Sequence, residues 1–362
     1  MALASDRERK MKTSFKIKNL TIRNRIAIPP MVCFYWSDDN GYVTEKNIEH
    51  YKDLAEGGAG LVIVEATAIT KRSRLHDTEL GIWEDGQIAG LSKIADVIHQ
   101  GGAAAFIQLV HAGGNGIDDC AEVPSYMEYR WAKNPTEMSQ DRINVMVEDF
   151  AKAAVRAKRA GFDGVEIHGC HGYLLSQFFN SRNNIREDEY GKDKALAAKQ
   201  VLKAVKAACG EDFIVGIRIG AFEPYLLDGM RNSFAVAPYA DFLDVSYGGD
   251  CNGTRPEGYS LSEAVYGASK IKKLLPEMPV FGVHNINSKE DVKAALETGI
   301  DMVDIGKASL VDSGFAKHIL SGEPYGQCLH CNNYCRWNPP QMANPDLKCP
   351  GYVKFAGKRE NE

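Results

Sequence analysis

What most constrains this chain is its alternation. Eight short apolar runs recur along it, each ending at Gly, Pro or polar residues: Arg25–Pro29, Gly60–Val64, Ala104–Leu109, Gly164–His168, Phe213–Ile219, Phe242–Ser246, Pro279–Val283 and Met302–Gly306. Segments of helical periodicity lie between most of them, clearest at Asn47–Glu56, Ile88–His99, Asp141–Arg159, Asp193–Ala208, Leu261–Leu275 and Ser288–Glu297. Ser288 followed by Glu290 and Asp291 has the form of a helix start. Strands alternating with helices imply parallel pairing through right-handed crossovers. Eight units within roughly 300 residues fit a (β/α)8 TIM barrel better than an open doubly wound sheet. No GxGxxG follows the first run, which also counts against a dinucleotide-binding sheet. One unit is irregular, with room for only a short helix between Ile219 and Phe242.

In a parallel barrel the chemistry sits just past the C-terminal ends of the strands. The fourth run is followed by the densest such stretch, VEIHGCHGYLLSQFFNSRNNIREDEYG from Val165 to Gly191, with His168, His171 and Tyr173 close together. His-x-x-His is a poor zinc signal here, without the HExxH helix or a third ligand nearby. Asn184 to Tyr190 has the character of loop scaffold. Past the other runs stand Pro30, Met31, Val32 and Cys33; Glu65 and Ala66; Gln108; Arg218; Ser246 to Gly249; Gly282 to Asn285; and Gly306 with Lys307. Gly-rich endings at the last two strands are where barrels commonly hold a phosphate. Taken alone, Arg218 could equally be a core ion-pair residue, with Glu65 or Asp244 as partner.

Charge excludes some functions. The formal net charge is −5 with no long block of one sign, so there is no electrostatic footprint for nucleic acid or an anionic membrane surface. No apolar stretch approaches the roughly 18 residues of a membrane span, and the N-terminal residues lack the apolar core of a signal peptide. The expected location is the cytoplasm. Of nine cysteines, Cys328, Cys331, Cys335 and Cys349 fall in one short window, and in a reducing compartment such a group suits a metal better than disulfides. The expected parts are a disordered N-terminal arm (1–14), the barrel (15–322) and a Cys-rich tail (323–362).

The segments NRIAIPPM, GLVIVEATAI, FIQLVHAGG, GFDGVEIHGCHGYLLSQFF and NNIREDEYG, in that order, resemble the old yellow enzyme family of FMN-dependent ene-reductases over nearly the whole barrel. The tail resembles the subgroup related to 2,4-dienoyl-CoA reductase and trimethylamine dehydrogenase, which carries a [4Fe–4S] cluster just after the barrel. The resemblance implies reduction of the activated C=C bond of an α,β-unsaturated carbonyl or carboxylate compound with NADH or NADPH. Hydride would pass from flavin N5 to the β-carbon, and Tyr173 would give a proton to the α-carbon. His168 and His171 would bind the carbonyl oxygen, where two N–H donors offset developing negative charge. A phenol, with a reference pKa of about 10, stays protonated at neutral pH. Gln108 and Arg218 would contact the flavin pyrimidine edge, and Pro30, Met31, Val32 and Ala66 would line the ring. Gly282, Val283, His284, Asn285, Gly306 and Lys307 would hold the phosphate.

The sequence departs from the family pattern at three places. Val32 stands where many members have Thr or Cys, Lys307 where an Arg is usual, and KDKALAAKQ replaces the run after Tyr190-Gly191. The tail spacing, C-x2-C-x3-C-x13-C, has the thiolate count of a cubane site, with its last gap longer than the family's. His330 keeps a zinc site open as the alternative. An electron-donor protein and a homo-oligomeric assembly are the expected partners. The alternative activity is that of an iron–sulfur flavoprotein of the trimethylamine dehydrogenase type, oxidising an amine and passing electrons to a partner.

Overall fold

The computed structural model describes residues 10–129, 132–249, 251–331, 335–337, 342–344 and 347–359. Its centre is a closed barrel of eight parallel strands. These are β1 (Ile26–Ile28), β2 (Leu61–Ala68), β3 (Ala104–Val110), β4 (Gly164–Gly169), β5 (Ile214–Gly220), β6 (Leu243–Ser246), β7 (Val280–Gly282) and β8 (Met302–Asp304). β8 closes on β1 through Val303↔Ile26 and Asp304↔Ala27. Each strand falls within or beside one of the eight apolar runs, because a strand covered on both faces must be apolar almost throughout.

The outer ring comprises α1 (Glu45–Glu56), α2 (Ile88–Gln100), α3 (Gln140–Arg159), α4 (Leu196–Cys209), α5 (Leu226–Val236), α6 (Glu263–Leu274), α7 (Lys289–Glu297) and α8 (Phe315–Ser321). Their starts follow side-chain chemistry. Ser139, Ser262 and Ser288 each accept a hydrogen bond from a first-turn N–H, so donors that the helix itself cannot satisfy are paired. The irregular unit holds more than a short helix. α5 runs 11 residues and continues into a 3-10 turn at Ala237–Tyr239. Its apolar spacing is masked by Gly229, Asn232 and Ser233, which are buried small or polar residues.

Two apolar layers fill the structure. One joins the helices to the outer face of the barrel. The other fills the barrel at its N-terminal end, where Phe106, Phe242 and Phe281 stack with ring centroids 5.5 and 4.8 Å apart. An antiparallel hairpin, Phe15–Ile17 with Leu20–Ile22, closes that end by adding Ile17 and Ile22 to the same layer. Gly216 gives Phe242 its space, since a Cβ there would collide with the Phe242 ring.

The expected arm at 1–14 is corrected where it is described. Met11 is fully buried in the main core, its carbonyl accepts from Arg25 N, and Lys10 Nζ donates to Leu296 O at 2.7 Å. These few residues cover the rim between the hairpin and α7, so they order despite a polar composition.

Asn184 has the scaffold role its loop suggested. Buried completely, its amide donates to Phe178 O at 2.9 Å and Tyr190 O at 2.8 Å, tying the short helix Leu174–Phe179 to the helical turn Glu189–Lys192. Asn184→Ala leaves two buried carbonyls unpaired, and the expected cost is about 1–3 kcal/mol in a urea unfolding curve.

Candidate active site

A cavity of about 320 Å³ opens at the C-terminal end of the barrel. Its lining takes in Pro30, Met31, Val32, Ala66, Gln108, His168, His171, Tyr173, Arg218 and Lys307, together with Cys328, Cys331, Cys335 and Cys349. Residues from six strand ends and the distant tail therefore meet in one place.

The backbone explains how they converge. β2 slips register on β3 between Val64 and Thr67, and a slip of this kind re-aims side chains. It turns Ala66 toward the cavity and Glu65 toward the loop after β1. The buried Glu65 carboxylate accepts from Cys33 N at 2.6 Å and Tyr51 Oη at 3.1 Å, fixing Met31 to Cys33 at the rim. Burial pushes the Glu65 pKa up to about 7, with those hydrogen bonds opposing the shift. After β4, His171 takes φ 62° and Gly172 φ 76°, a left-handed turn that brings its ring beside those of His168 and Tyr173. The His168 ring lies 5.2 Å from His171 and 5.1 Å from Tyr173, centroid to centroid. Gly249, at φ +65°, lets the loop after β6 press on this turn, since a Cβ would collide with the His171 carbonyl.

The electrostatics keep the rings neutral. Burial pushes His168 well below its ordinary pKa, helped by His171 and Arg218, and pushes His171 down to about 3. The Tyr173 phenol rises to about 12, first through burial and then through Glu79 and Cys170. His171 Nε2 lies 2.8 Å from Ser246 Oγ, which also accepts from Arg218 Nη2 at 3.3 Å. Arg218 can only donate, so the Ser246 hydroxyl proton is free for His171 Nε2, and the ring proton then sits on Nδ1.

Both His168 ring nitrogens are buried without a hydrogen-bond partner among the described residues. A buried polar atom costs free energy unless something pairs it, so this pair marks a place for a polar ligand. One expectation needs correction here. The histidine pair does have a third potential ligand nearby, since the His168, Cys170 and His171 donor atoms lie within 4.8 Å of one another. The tight turn at His171 produces this closeness, which a linear spacing rule for helices does not anticipate.

Gln108 Nε2 donates to Glu166 Oε1 at 2.6 Å, and Arg218 Nε stands 3.2 Å from Asp244 Oδ2. Arg218 therefore pairs with Asp244 and not Glu65. Burial alone would lower the guanidinium pKa, but Asp244 and Glu166 outweigh it and the net shift is upward. Glu166 and Asp304 had no expected role. Their signal was present as acids inside otherwise apolar strand runs, VEIHG and MVDIG.

Gly282, Val283, His284, Asn285 and Gly306 are not part of the cavity lining. They sit beyond it at the ends of the adjacent strands β7 and β8, paired through Gly282↔Val303. His284 and Asn285 have φ 87° and 56°, and His284 Nδ1 and Asn287 Oδ1 are buried without partners among the described residues. A left-handed backbone of this form can turn successive N–H groups toward an anion, whereas Asn287 Oδ1 is an acceptor and adds nothing to such a site.

The tail folds back onto the mouth. Met342 packs with Cys33 and Phe34, Trp337 leans on Trp36 with centroids 5.8 Å apart, and Gly326 N donates to Asp312 Oδ2 at 3.0 Å. None of the nine cysteines is in a disulfide. The Cys331 thiol is raised by burial and then by Cys349, Cys328 and Cys335, which line the same cavity. Among the described residues no helix is long and apolar enough to cross a membrane.

The sequence matches the NADH:flavin oxidoreductase / NADH oxidase family over residues 11–325. It is 44% identical over 330 residues to the NADPH dehydrogenase of Halalkalibacterium halodurans, covering 88% of this chain and 93% of that one. The NADPH dehydrogenase of Clostridium acetobutylicum is 33% identical over 319 residues, covering 82% and 90%. The fold is shared with the old yellow enzyme of Trypanosoma cruzi, with TM-score 0.77 and 23% identity over 96% of this chain and 98% of that one. It is shared also with a 2-naphthoyl-CoA reductase, with TM-score 0.82 and 21% identity; 93% of this chain corresponds to 58% of that longer one. With the barrel, the cavity and its residues in place, these matches settle the family: the chain belongs to the NADH:flavin oxidoreductase / NADH oxidase family, of old yellow enzyme type, and is a flavin-dependent NAD(P)H oxidoreductase.

Proposed function

We propose that this protein reduces the activated C=C bond of α,β-unsaturated carbonyl or carboxylate compounds, with FMN as its flavin and NADH or NADPH as reductant. The observation that carries this reading is His168, buried with two unpaired ring nitrogens between His171 and Tyr173. Bound FMN supplies the hydride.

The chain's own residues do the rest. His168 and His171 are neutral and each offers one N–H, so together they can hold a carbonyl oxygen on which negative charge develops. Ser246 fixes the His171 tautomer for that purpose. Tyr173, with its phenol raised to about 12, keeps its proton at neutral pH until a strongly basic carbon is presented. Pro30, Met31, Val32 and Ala66 form an apolar wall suited to a flat ring. Gln108 gives its N–H to Glu166, which leaves its amide oxygen to accept from a ring N–H. Arg218 presents a cation for the pyrimidine edge, and Lys307 with the backbone at Gly282 to Asn285 and Gly306 would hold the phosphate.

We read Cys328, Cys331, Cys335 and Cys349 as ligands of a [4Fe–4S] cluster. All four thiols line one cavity and carry the C-x2-C-x3-C-x13-C spacing, which supports that assignment. The same feature favours a second reading, an amine-oxidising iron–sulfur flavoprotein that passes electrons to a partner. An amine has no carbonyl oxygen for the histidine pair, so ene-reduction remains the better fit.

An anaerobic absorption spectrum of the purified protein, with iron and acid-labile sulfide assays, tests both cofactors. Flavin bands with about four iron and four sulfide per chain are expected. Protein that stays colourless after FMN is added would refute the flavin assignment, and flavin without sulfide would refute the cluster.

A further inference from the structure

Beneath the cavity floor lies a group that the proposed chemistry does not use. Glu166 on β4, Asp244 on β6 and Asp304 on β8 are all fully buried inside the barrel around one cation, Arg218 on β5. Asp244 is central. It pairs with Arg218 and stands within hydrogen-bonding reach of both Glu166 and Asp304. Among the described residues Glu166 Oε2, both Asp244 oxygens and both Asp304 oxygens form no hydrogen bond, and Asp244 Oδ2 meets Arg218 Nε only as an ion pair at 3.2 Å. Among the described residues Gln108, Cys170 and the neutral His168 also face the cluster, Ser246 Oγ accepts from Arg218, and Gln108 donates to Glu166.

Two buried carboxylates in contact repel, and neither can donate to the other. A proton between them removes the repulsion and satisfies both oxygens. Three carboxylates and one guanidinium would leave the site two charges negative in a low-dielectric core, which is far costlier than binding two protons. Burial and the neighbouring Asp244 drive Glu166 and Asp304 well above ordinary carboxyl values, in agreement with this count.

We propose that Glu166 and Asp304 are carboxylic acids in the folded protein, each giving its proton to a single ionised Asp244, and that this two-proton cluster sets the charge Arg218 presents to the cofactor. The proposal rests on the FMN reading above for its consequence, though not for the cluster itself. With both protons in place Arg218 is balanced once, and its Nη edge still acts as a cation toward the cavity. Without them the floor would be net negative and would oppose the charge of a reduced flavin. Glu166 and Asp304 are thus positioning residues. They act through Arg218 and, for Glu166, through the amide orientation of Gln108.

The test compares Glu166→Gln, Asp304→Asn and Asp244→Asn. Infrared spectra of the purified full chain, at whatever flavin content, read the carboxylic-acid C=O region near neutral pH. Glu166→Gln and Asp304→Asn should each remove one band there. Spectra in which neither variant loses a band would overturn the proposal, and this arm stands even if the protein binds no flavin or Asp244→Asn does not fold. On flavin-loaded protein, Asp244→Asn should favour the reduced flavin at least tenfold, about 30 mV for a two-electron couple, because Arg218 loses its one anion. The two neutral substitutions should move that ratio less than threefold. Equal shifts in all three variants would show that all three carboxyls are ionised and would overturn the proposal.

Discussion

Replacing Tyr173 by Phe is expected to slow alkene reduction by about 10²–10⁴-fold while leaving flavin reduction by NAD(P)H nearly unchanged. The ring packs against His168, and Tyr173 holds the N-cap position of the short helix Leu174–Phe179 without a side-chain cap hydrogen bond, so Phe preserves both features. What disappears is the hydroxyl alone. Proton delivery belongs to the step in which the alkene is consumed, so the two half-reactions should separate. Stopped-flow absorbance of each half-reaction checks this. Equal slowing of both steps would argue that Tyr173 binds nicotinamide and substrate alike and donates no proton.

Replacing Arg218 by Met is expected to cost about 3–5 kcal/mol of stability. The guanidinium is 5% exposed, and its loss leaves Asp244 buried and uncompensated beside two further acids. Urea unfolding should be measured without added flavin, since a bound ligand adds its own stability. A loss below about 1 kcal/mol would mean that Asp244 carries no charge in the folded protein. That outcome would also contradict the charge count proposed for the cluster.

The barrel was legible because it obeys a strict local rule. Strands covered on both faces are apolar, and their eightfold alternation with helices leaves few alternatives. The residues His168, His171, Tyr173, Gln108 and Arg218 could be picked out as polar groups on or just past the strands, their expected roles came from the family resemblance, and the structure brings all five to one cavity. Three things were harder to read. The packing of Met11 depends on a surface formed by residues far along the chain. α5 hides its periodicity behind buried Gly229, Asn232 and Ser233. The carboxyl cluster needs three strands brought together before Glu166, Asp244 and Asp304 become neighbours. Cys170 is a case of the same kind, since only the left-handed turn at His171 places its sulfur near both imidazoles.

Reduction of activated alkenes is the activity proposed for this site. Its most direct test is anaerobic: reduce the flavin with one equivalent of NADPH or NADH, mix with a cyclic enone, and follow flavin reoxidation by absorbance. Reoxidation that depends on enone concentration, with the saturated ketone formed in equal amount, is the expected result. A flavin that stays reduced with every enone, yet is reduced directly by amines and reoxidised by one-electron acceptors, would contradict the account and place the chain with the amine-oxidising enzymes.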